Sequence, residues 1–254
     1  MRWALRWAAG WWRVIHLGAQ ILALALSPSS YARALRPGLL RHIYQDTAAN
    51  LAWFTLLSAL ISLVLIRIVV VTALSYGLTQ YALEMVVRVL VLELIPITAA
   101  LFAALRATIA NGAEVAALRA QGEFERQQAA GTDPLRTEVL PRVLAGLVAV
   151  NALALVAGVV TLVLAYLLVY GFTPWGFAGY THTVGRIFTP AVSLIFMLKT
   201  FFLSLAVSLI PVASVLYDTA RRRTSRTSAE LQALVRMSLA VLAIEAASLV
   251  GNYY

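Results

Sequence analysis

Long apolar stretches alternate with short polar ones along most of the chain. Five of them are long enough to cross a bilayer as helices, which takes about 20 residues at 1.5 Å of rise each. They lie at residues 50–75, 81–110, 143–170, 187–217 and 229–251. The second and fourth exceed the minimum, so we expect tilt or extension beyond the membrane. The pattern predicts an all-α integral membrane protein with five transmembrane helices.

The first 26 residues alternate tryptophan and arginine at helical spacing. A cleaved signal peptide keeps its charges ahead of an uninterrupted apolar region, and this segment does not. The alternation favours a helix lying in the membrane interface, with an uncleaved first spanning helix as the alternative. The interleaved residues are Arg2, Trp3, Arg6, Trp7, Trp11, Trp12 and Arg13.

A polar segment at 28–48 follows and is interrupted by Pro28 and Pro37, which predicts an elbow with a short helix. No internal repeat or low-complexity linker is evident beyond it. The chain, 1–254, is therefore interpreted as one membrane domain. Its interfacial helix and elbow lie at 1–48 and its transmembrane core at 49–252.

Composition and charge agree with a membrane protein. Hydrophobic residues make up 61% and charged residues 12% of the 254, against about 45–50% and roughly 25% in soluble domains. All but one of the 20 basic residues behind the net charge of +9 are arginine, and most flank apolar stretches. That placement suits anionic lipid headgroups. No nucleic-acid recognition motif accompanies the charge, so we expect no nucleic-acid partner.

Arginine placement also predicts the orientation of the chain. Residues 1–49, 111–142 and 218–236 contain six, four and five arginines, whereas the connections 76–80 and 171–185 contain none. Arginine concentrates in cytoplasmic loops, so we expect a cytoplasmic N-terminus and a C-terminus on the far side. Aromatic residues there are candidate interfacial anchors, namely Trp175, Tyr180, Tyr253 and Tyr254.

Several kinds of chemistry are excluded or disfavoured. The chain has no cysteine, and His16, His42 and His182 lack metal-ligand spacing. Its single lysine, Lys199, follows a leucine, so there is no phosphate-binding loop and the chain is not its own ATPase. Neither a nucleophile elbow nor a zinc-protease motif occurs. We therefore predict no enzyme activity, no metal and no bound cofactor.

Six charged residues lie within or near the apolar segments: Arg67, Glu84, Arg88, Glu93, Lys199 and Glu245. Each costs several kcal/mol unless it is paired, hydrated or near the interface. Glu84 and Arg88 have the spacing of a helical ion pair. These charges are either structural, with Arg67 and Lys199 reaching the interface along their stems, or a polar lining for a cavity that holds a lipid headgroup.

The connection between the second and third spans is strongly charged. The apolar pattern ends at Arg106, and a mixed-charge helix is predicted around 113–130. A turn at 131–134 follows, and the chain re-enters the membrane after Pro141-Arg142. Five acidic residues and four arginines between 111 and 142 predict a docking surface for a soluble partner, with a merely solvated loop as the alternative.

Motifs in this region and in later spans resemble the MlaE (YrbE-like) family of ABC transporter permeases, over about residues 40–252. The central ones are Glu93-Leu94-Ile95-Pro96, Ala100-Leu101-Phe102-Ala103, Arg106, Glu114, Arg119, Gly131, Asp133-Pro134-Leu135-Arg136 and Pro141-Arg142. The outlying ones are Arg41-His42-Ile43-Tyr44, Leu198-Lys199-Thr200, Ser238-Leu239-Ala240-Val241-Leu242 and Glu245.

The chain departs from the family pattern at three places. Gly122-Glu123 stands where the family has Glu-Gln, Leu105 and Thr108 replace glycines, and 221–223 is an arginine triplet in place of a glycine-rich loop. The departures bear on close helix packing near Arg106 and on ATPase docking. They indicate a divergent paralogue with a different partner or cargo.

The resemblance implies a permease subunit that moves phospholipid or a related lipid between the bacterial inner membrane and a periplasmic MCE-domain carrier. Two copies would form a homodimer around a lipid-sized cavity. A separate ATPase subunit would bind ATP and dock on the 113–130 helix, and a STAS-domain subunit is a further partner. The residues expected at the ATPase contact are Glu114, Arg119, Glu123, Glu125 and Asp133. Those expected at the lipid cavity or pathway are Glu93, Arg106, Lys199, Glu84 and Arg88.

The residues alone leave two other functions open. One is a membrane scaffold for a cytoplasmic partner, and the other is an enzyme that modifies lipid. A scaffold predicts that the charges inside the membrane are dispensable, whereas a transporter predicts that at least some are needed.

Overall fold

The computed structural model describes residues 2–28, 36–218 and 226–253, and within these ranges the secondary structure is helical. Five of the described helices, α2, α3, α5, α7 and α8, are long and apolar enough to cross a membrane. This confirms the predicted all-α membrane fold. The helices are α1 (Arg2–Leu26), α2 (Arg36–Ser75), α3 (Gln80–Ala120), α4 (Glu123–Ala129), α5 (Leu135–Tyr170), α6 (Phe177–Ile187), α7 (Pro190–Asp218) and α8 (Arg226–Tyr253).

Some predicted features lie outside the described part of the chain. These are the arginine triplet at 221–223, the part of the elbow at 29–35, Tyr254, and the side chains of Arg2, Trp3, Arg6, Trp7 and Tyr253.

The predicted elbow differs from the structure. Residues 36–48 are not a separate short helix but the beginning of α2, which continues unbroken for 40 residues. Pro37 lies in the first turn, where its missing N–H breaks no hydrogen bond and its fixed φ suits the helix. The first span therefore extends well beyond the apolar stretch, and this extension buries Asp46 and Asn50.

The predicted single helix at 113–130 is two helices. Residues 113–120 continue α3, and the chain then turns at Gly122, whose φ of 74° suits glycine. α4 follows and ends at Ala129, two residues before Gly131, which also has a positive φ. A rigid extension of the second span therefore carries Glu114 and Arg119, while a separate short helix carries Glu123 and Glu125.

α1 packs against α7 and α5. Its Leu17 and Ile21 are buried with residues of both helices, while Trp12, Ile15, Leu22 and Leu26 on other faces are exposed. The helix is not among the candidate spans found in the described residues. Its predicted place in the membrane interface stays a prediction.

The connection between α5 and α7 contains a helix that was not predicted, and this helix carries one positive charge just beyond the predicted neutral stretch 171–185. It forms α6, whose last turn carries Arg186. Tyr180 is buried and donates a hydrogen bond to the carbonyl of Leu162 at 2.9 Å, so it packs α6 onto α5. Trp175 is exposed, as expected of an interfacial anchor.

Small residues hold the spanning helices close together. α2 packs along α5, and α7 contacts both α5 and α8. A Cβ at Gly146 of α5 would lie 3.1 Å from Cβ of Ser208 and 3.2 Å from Cγ2 of Thr108. Close packing near Arg106 is thus retained although Thr108 replaces a glycine, because the third span supplies the small residue.

Replacing Gly146 with alanine is expected to lower the free energy of unfolding by about 1–3 kcal/mol, the usual effect of overpacking. The new methyl group would meet Ser208 Oγ at 2.4 Å. That hydroxyl can rotate away, but the two carbon contacts remain. Gly158→Ala in the same helix is the matched control, since its Cβ would lie 3.8 Å from Val91. Equal thermal unfolding midpoints of the two purified variants would contradict this account.

Candidate functional site

The membrane cluster joins three spanning helices through Lys199 of α7, Glu93 of α3 and Glu245 of α8. The lysine side chain is 1% exposed, and its ammonium donates to Glu245 Oε1 at 2.8 Å, to Glu93 Oε2 and to the carbonyl of Leu92 at 3.1 Å. Asn252 of α8 completes the cluster by donating from Nδ2 to Glu93 Oε1 at 3.4 Å. These contacts satisfy all three donors of the ammonium.

Pro96 explains why a backbone carbonyl of α3 is open to the lysine. In an α-helix the carbonyl of Leu92 would accept from the N–H of residue 96, and proline has none. The chain here also passes through a π-helical stretch, Val87–Leu94, a feature often found at functional sites. Pro96 is visible in the sequence, so it was an available signal for the position of this carbonyl.

The membrane cluster is electrostatically unbalanced. Two carboxylates face one ammonium, so with all three ionised the net charge is minus one. Charges inside a membrane are expensive and are kept where they are paired or functional. The alternative in which Lys199 reaches the interface along its stem is therefore wrong, because its ammonium is buried and paired inside the bundle. The lining of a headgroup cavity stays a prediction.

Glu84 and Arg88 form the ion pair that their spacing predicts, with 3.0 Å between Oε1 and Nε. Both side chains are about one-third exposed. Among the described residues no hydrogen bond or ion pair joins this pair to Lys199, so it lies outside the membrane cluster's polar contacts. Arg67 is exposed on α2.

A second polar cluster, the arginine-end network, lies where α2, α3 and α5 meet at the arginine-rich end of the bundle. Asn111 of α3 donates to Asp46 Oδ2 of α2 at 2.8 Å. Arg106 Nε donates to Asn50 Oδ1 at 3.4 Å. Arg106 therefore lies in this network and apart from Lys199, and the predicted cavity residues occupy separate places.

Arg142 of α5 is the most deeply buried cation of the arginine-end network, with a side chain 8% exposed. Its NH1 donates to both the carbonyl and Oε2 of Glu138 at 2.7 Å, and its NH2 donates to Glu114 Oε2 at 3.4 Å. No role for Arg142 was predicted from the sequence, although the Pro141-Arg142 pair is one of the motifs in this region. An arginine directly after a proline at the start of a span was the available signal.

α4 is attached to the arginine-end network through its buried face. Phe124 is buried, and Gln127 Nε2 lies 3.4 Å from Glu123 Oε1 and 3.3 Å from Glu138 Oε1. Glu125 is exposed on the outer face. The short helix thus presents one acidic side chain outward while its inner face contacts the base of α5.

Two more predicted docking residues are engaged within the chain. Arg119 NH1 donates to the carbonyl of Leu216 in the last turn of α7, where Arg13 also reaches the carbonyl of Tyr217 at 3.4 Å. Both arginines satisfy helix-end carbonyls and complement the helix dipole. Asp133 Oδ1 accepts from the N–H of Leu135 at 3.0 Å, at the start of α5.

The arrangement is not that of a metal site. In the described part of the chain, no group of three His, Cys, Asp or Glu residues could hold a metal ion. The geometry offers a buried charged cluster between spanning helices and, apart from it, a polar network that links α4 to the bases of three helices.

Comparison with known families gives a match to the family described as Permease MlaE, over residues 39–250. No curated protein matches the chain. The matched range contains the arginine-end network and the membrane cluster, apart from Asn252, which lies just beyond residue 250.

Proposed function

Since this chain belongs to the MlaE permease family, we propose that it is the membrane subunit of an ABC transporter that moves lipid. Membership and the five candidate spans make it a multi-pass membrane permease rather than an enzyme. In this proposal the cargo is phospholipid or a related lipid, exchanged between the bacterial inner membrane and a periplasmic MCE-domain carrier. Two copies enclose the pathway, a separate subunit binds ATP, and a STAS-domain subunit is a further candidate partner.

The observation that carries the proposal is the membrane cluster. Lys199, Glu93 and Glu245 come from three different helices and meet inside an apolar bundle. A scaffold gains nothing from such a costly arrangement that apolar side chains would not supply. A permease needs polar groups in its interior, where they meet the headgroup of a passing lipid.

The ATPase would dock on the outer face of α4. Glu125 points outward there, and the inner face reaches α5 through Gln127, Glu138 and Arg142. A push on α4 is thereby passed to the bases of α3 and α5, which carry Glu114 and Arg142. Charges at such a surface favour the correct partner and register more than raw affinity.

Reversing the charge of Glu125 is expected to weaken ATPase binding without unfolding the permease. Glu125→Arg changes an exposed side chain, so its effect on stability should stay within about 0.5 kcal/mol. Removing one charge contact from an interface and adding a repulsive one costs several kcal/mol. The measurement is co-purification of the tagged permease in mild detergent, with mass spectrometry of the bound protein and lipid.

The control is the swap Glu125→Arg with Arg126→Glu, which keeps the net charge of α4. If docking depends on where each charge lies, the swap also loses the ATPase. Recovery of the ATPase by the swap would show that only net charge matters. If the well-folded wild-type chain brings down no ATPase at all, the coupled-transporter proposal fails and the scaffold hypothesis takes its place.

A further inference from the structure

α8 carries three polar oxygens that have no hydrogen-bond partner among the described residues. Glu245 Oε2, Ser248 Oγ and Asn252 Oδ1 are each shielded from solvent within the protein. Their spacings of three and four residues put them on one face of the helix. Ser248 is only 7% exposed, so its hydroxyl is buried on the face that carries Glu245.

A count of donors and acceptors indicates what the cluster can bind. The three donors of Lys199 are taken by Leu92, Glu93 and Glu245. The side-chain amide of Asn252 already donates to Glu93. What remains is three oxygen acceptors, one of which, the Ser248 hydroxyl, can also donate, within a cluster whose net charge is minus one when its acids are ionised. That negative charge disfavours a phosphate group, which is itself anionic.

A primary ammonium fits both the charge and the surplus of acceptors. It carries one positive charge and three N–H donors. A quaternary ammonium has the same charge and no donor. The described residues offer no metal-binding group as an alternative. Buried oxygens left without donors are energetically costly, so a ligand that supplies donors here gains affinity.

The position of the three oxygens along α8 sets the order in which an entering ligand would meet them. Asn252 lies near the end of α8, at the opposite end of the bundle from the arginine-end network. The helix rises about 10 Å from there to Glu245. A ligand that enters at this end of α8 would therefore meet Asn252 first and Glu245 last.

We propose that the membrane cluster receives the primary ammonium of an aminophospholipid headgroup, with Glu245, Ser248 and Asn252 as its acceptors. The inference rests on the proposed function and adds the headgroup class to it. Lys199 holds the two carboxylates in place, and the lipid phosphate stays outside the cluster.

The test varies the number of donors at constant charge. Purified full-length chain is exposed to phosphatidylethanolamine, its N-methyl and N,N-dimethyl derivatives and phosphatidylcholine, all with the same acyl chains. These headgroups carry three, two, one and no N–H donors. Native mass spectrometry of competition mixtures, with phosphatidylglycerol as a fifth lipid, measures retention. Retention is expected to fall along the series by about tenfold in total, the loss of one charge-assisted hydrogen bond.

Three variants test whether the headgroup preference arises at the oxygens of α8. Ser248→Ala and Asn252→Leu are expected to flatten the methylation series. Ser214→Ala is the control, because Ser214 is equally buried at 7% but its hydroxyl already donates to the carbonyl of Ile210 at 2.9 Å. It should leave the series unchanged.

Two results would overturn the inference alone: equal retention of the ethanolamine and choline lipids by the wild-type chain, or a preference for phosphatidylglycerol. The first outcome is also expected if only water fills the acceptors. If the folded chain retains no lipid of any headgroup, the proposed lipid transport fails together with the inference.

Discussion

Replacing Lys199 with methionine is expected to destabilise the protein by about 3–5 kcal/mol, the usual effect of removing one partner of a buried ion pair. Glu93 and Glu245 would then face each other inside the bundle with no cation between them. Methionine is unbranched and only one heavy atom shorter than lysine, so lost packing contributes little. The measurement is the thermal unfolding midpoint of the purified protein in detergent, together with lipid transfer by the reconstituted transporter.

A triple variant separates the fold from the function. Lys199→Met with Glu93→Gln and Glu245→Gln removes all three charges while nearly keeping their shapes. Neutral replacement of a whole buried ion network is often harmless to stability, so the unfolding midpoint should return close to that of the wild type. Lipid transfer should stay lost if the charges serve transport. Wild-type transfer by the triple variant would mean that the three charges are dispensable for transport, and the membrane cluster would then not have the role proposed for it.

Replacing Arg142 with methionine is expected to have the next largest effect. Arg142 is buried, and its loss leaves Oε2 and the carbonyl of Glu138 without their donor. Breaking a fully buried pair costs about 3–5 kcal/mol. The loss here should be smaller, because the second acid, Glu114, is 58% exposed. Coupling should suffer as well, measured as lipid moved for each ATP hydrolysed, since Arg142 links α4 to α5.

Arg126→Met is the matched control for Arg142. It makes the same chemical change at an arginine that is 77% exposed and lies 3.7 Å from Glu123. Exposed ion pairs contribute about 0–1 kcal/mol, so this variant should unfold near the wild-type temperature. If both variants lose the same stability and the same coupling, the arginine-end network does not have the role given to it.

Local features of the chain were predictable from the sequence. Spans are fixed by stretches of about 20 apolar residues, because the bilayer forces each stretch to satisfy its own backbone. The Glu84–Arg88 pair was predictable because it is also local: a helix by itself brings residues four apart together. The break at Gly122 was not predicted. Gly122 was noted only because it replaces a family residue, and one continuous docking helix was expected there.

Contacts between distant residues were not predictable. Lys199 meets Glu93 and Glu245 across 106 and 46 residues. Each had been singled out as a charge in a span, but a charged residue in one helix does not specify which neighbour it faces. That depends on how each helix is rotated and how closely it packs. Arg106 was predicted to line the same lipid cavity as Lys199. It lies instead with Asn50 in the arginine-end network, because helix rotation and packing decide which residues meet.

The sequence by itself determined the number of candidate spans and their approximate places, because these follow from local hydrophobicity. The orientation inferred from arginines near the span ends stays a prediction. Only the tertiary structure decided which charges meet, which docking residues are engaged within the chain and which oxygens of α8 lack a donor. Those properties arise from side chains of separate helices that share one interior. Helix packing sets that interior, and no local pattern contains it.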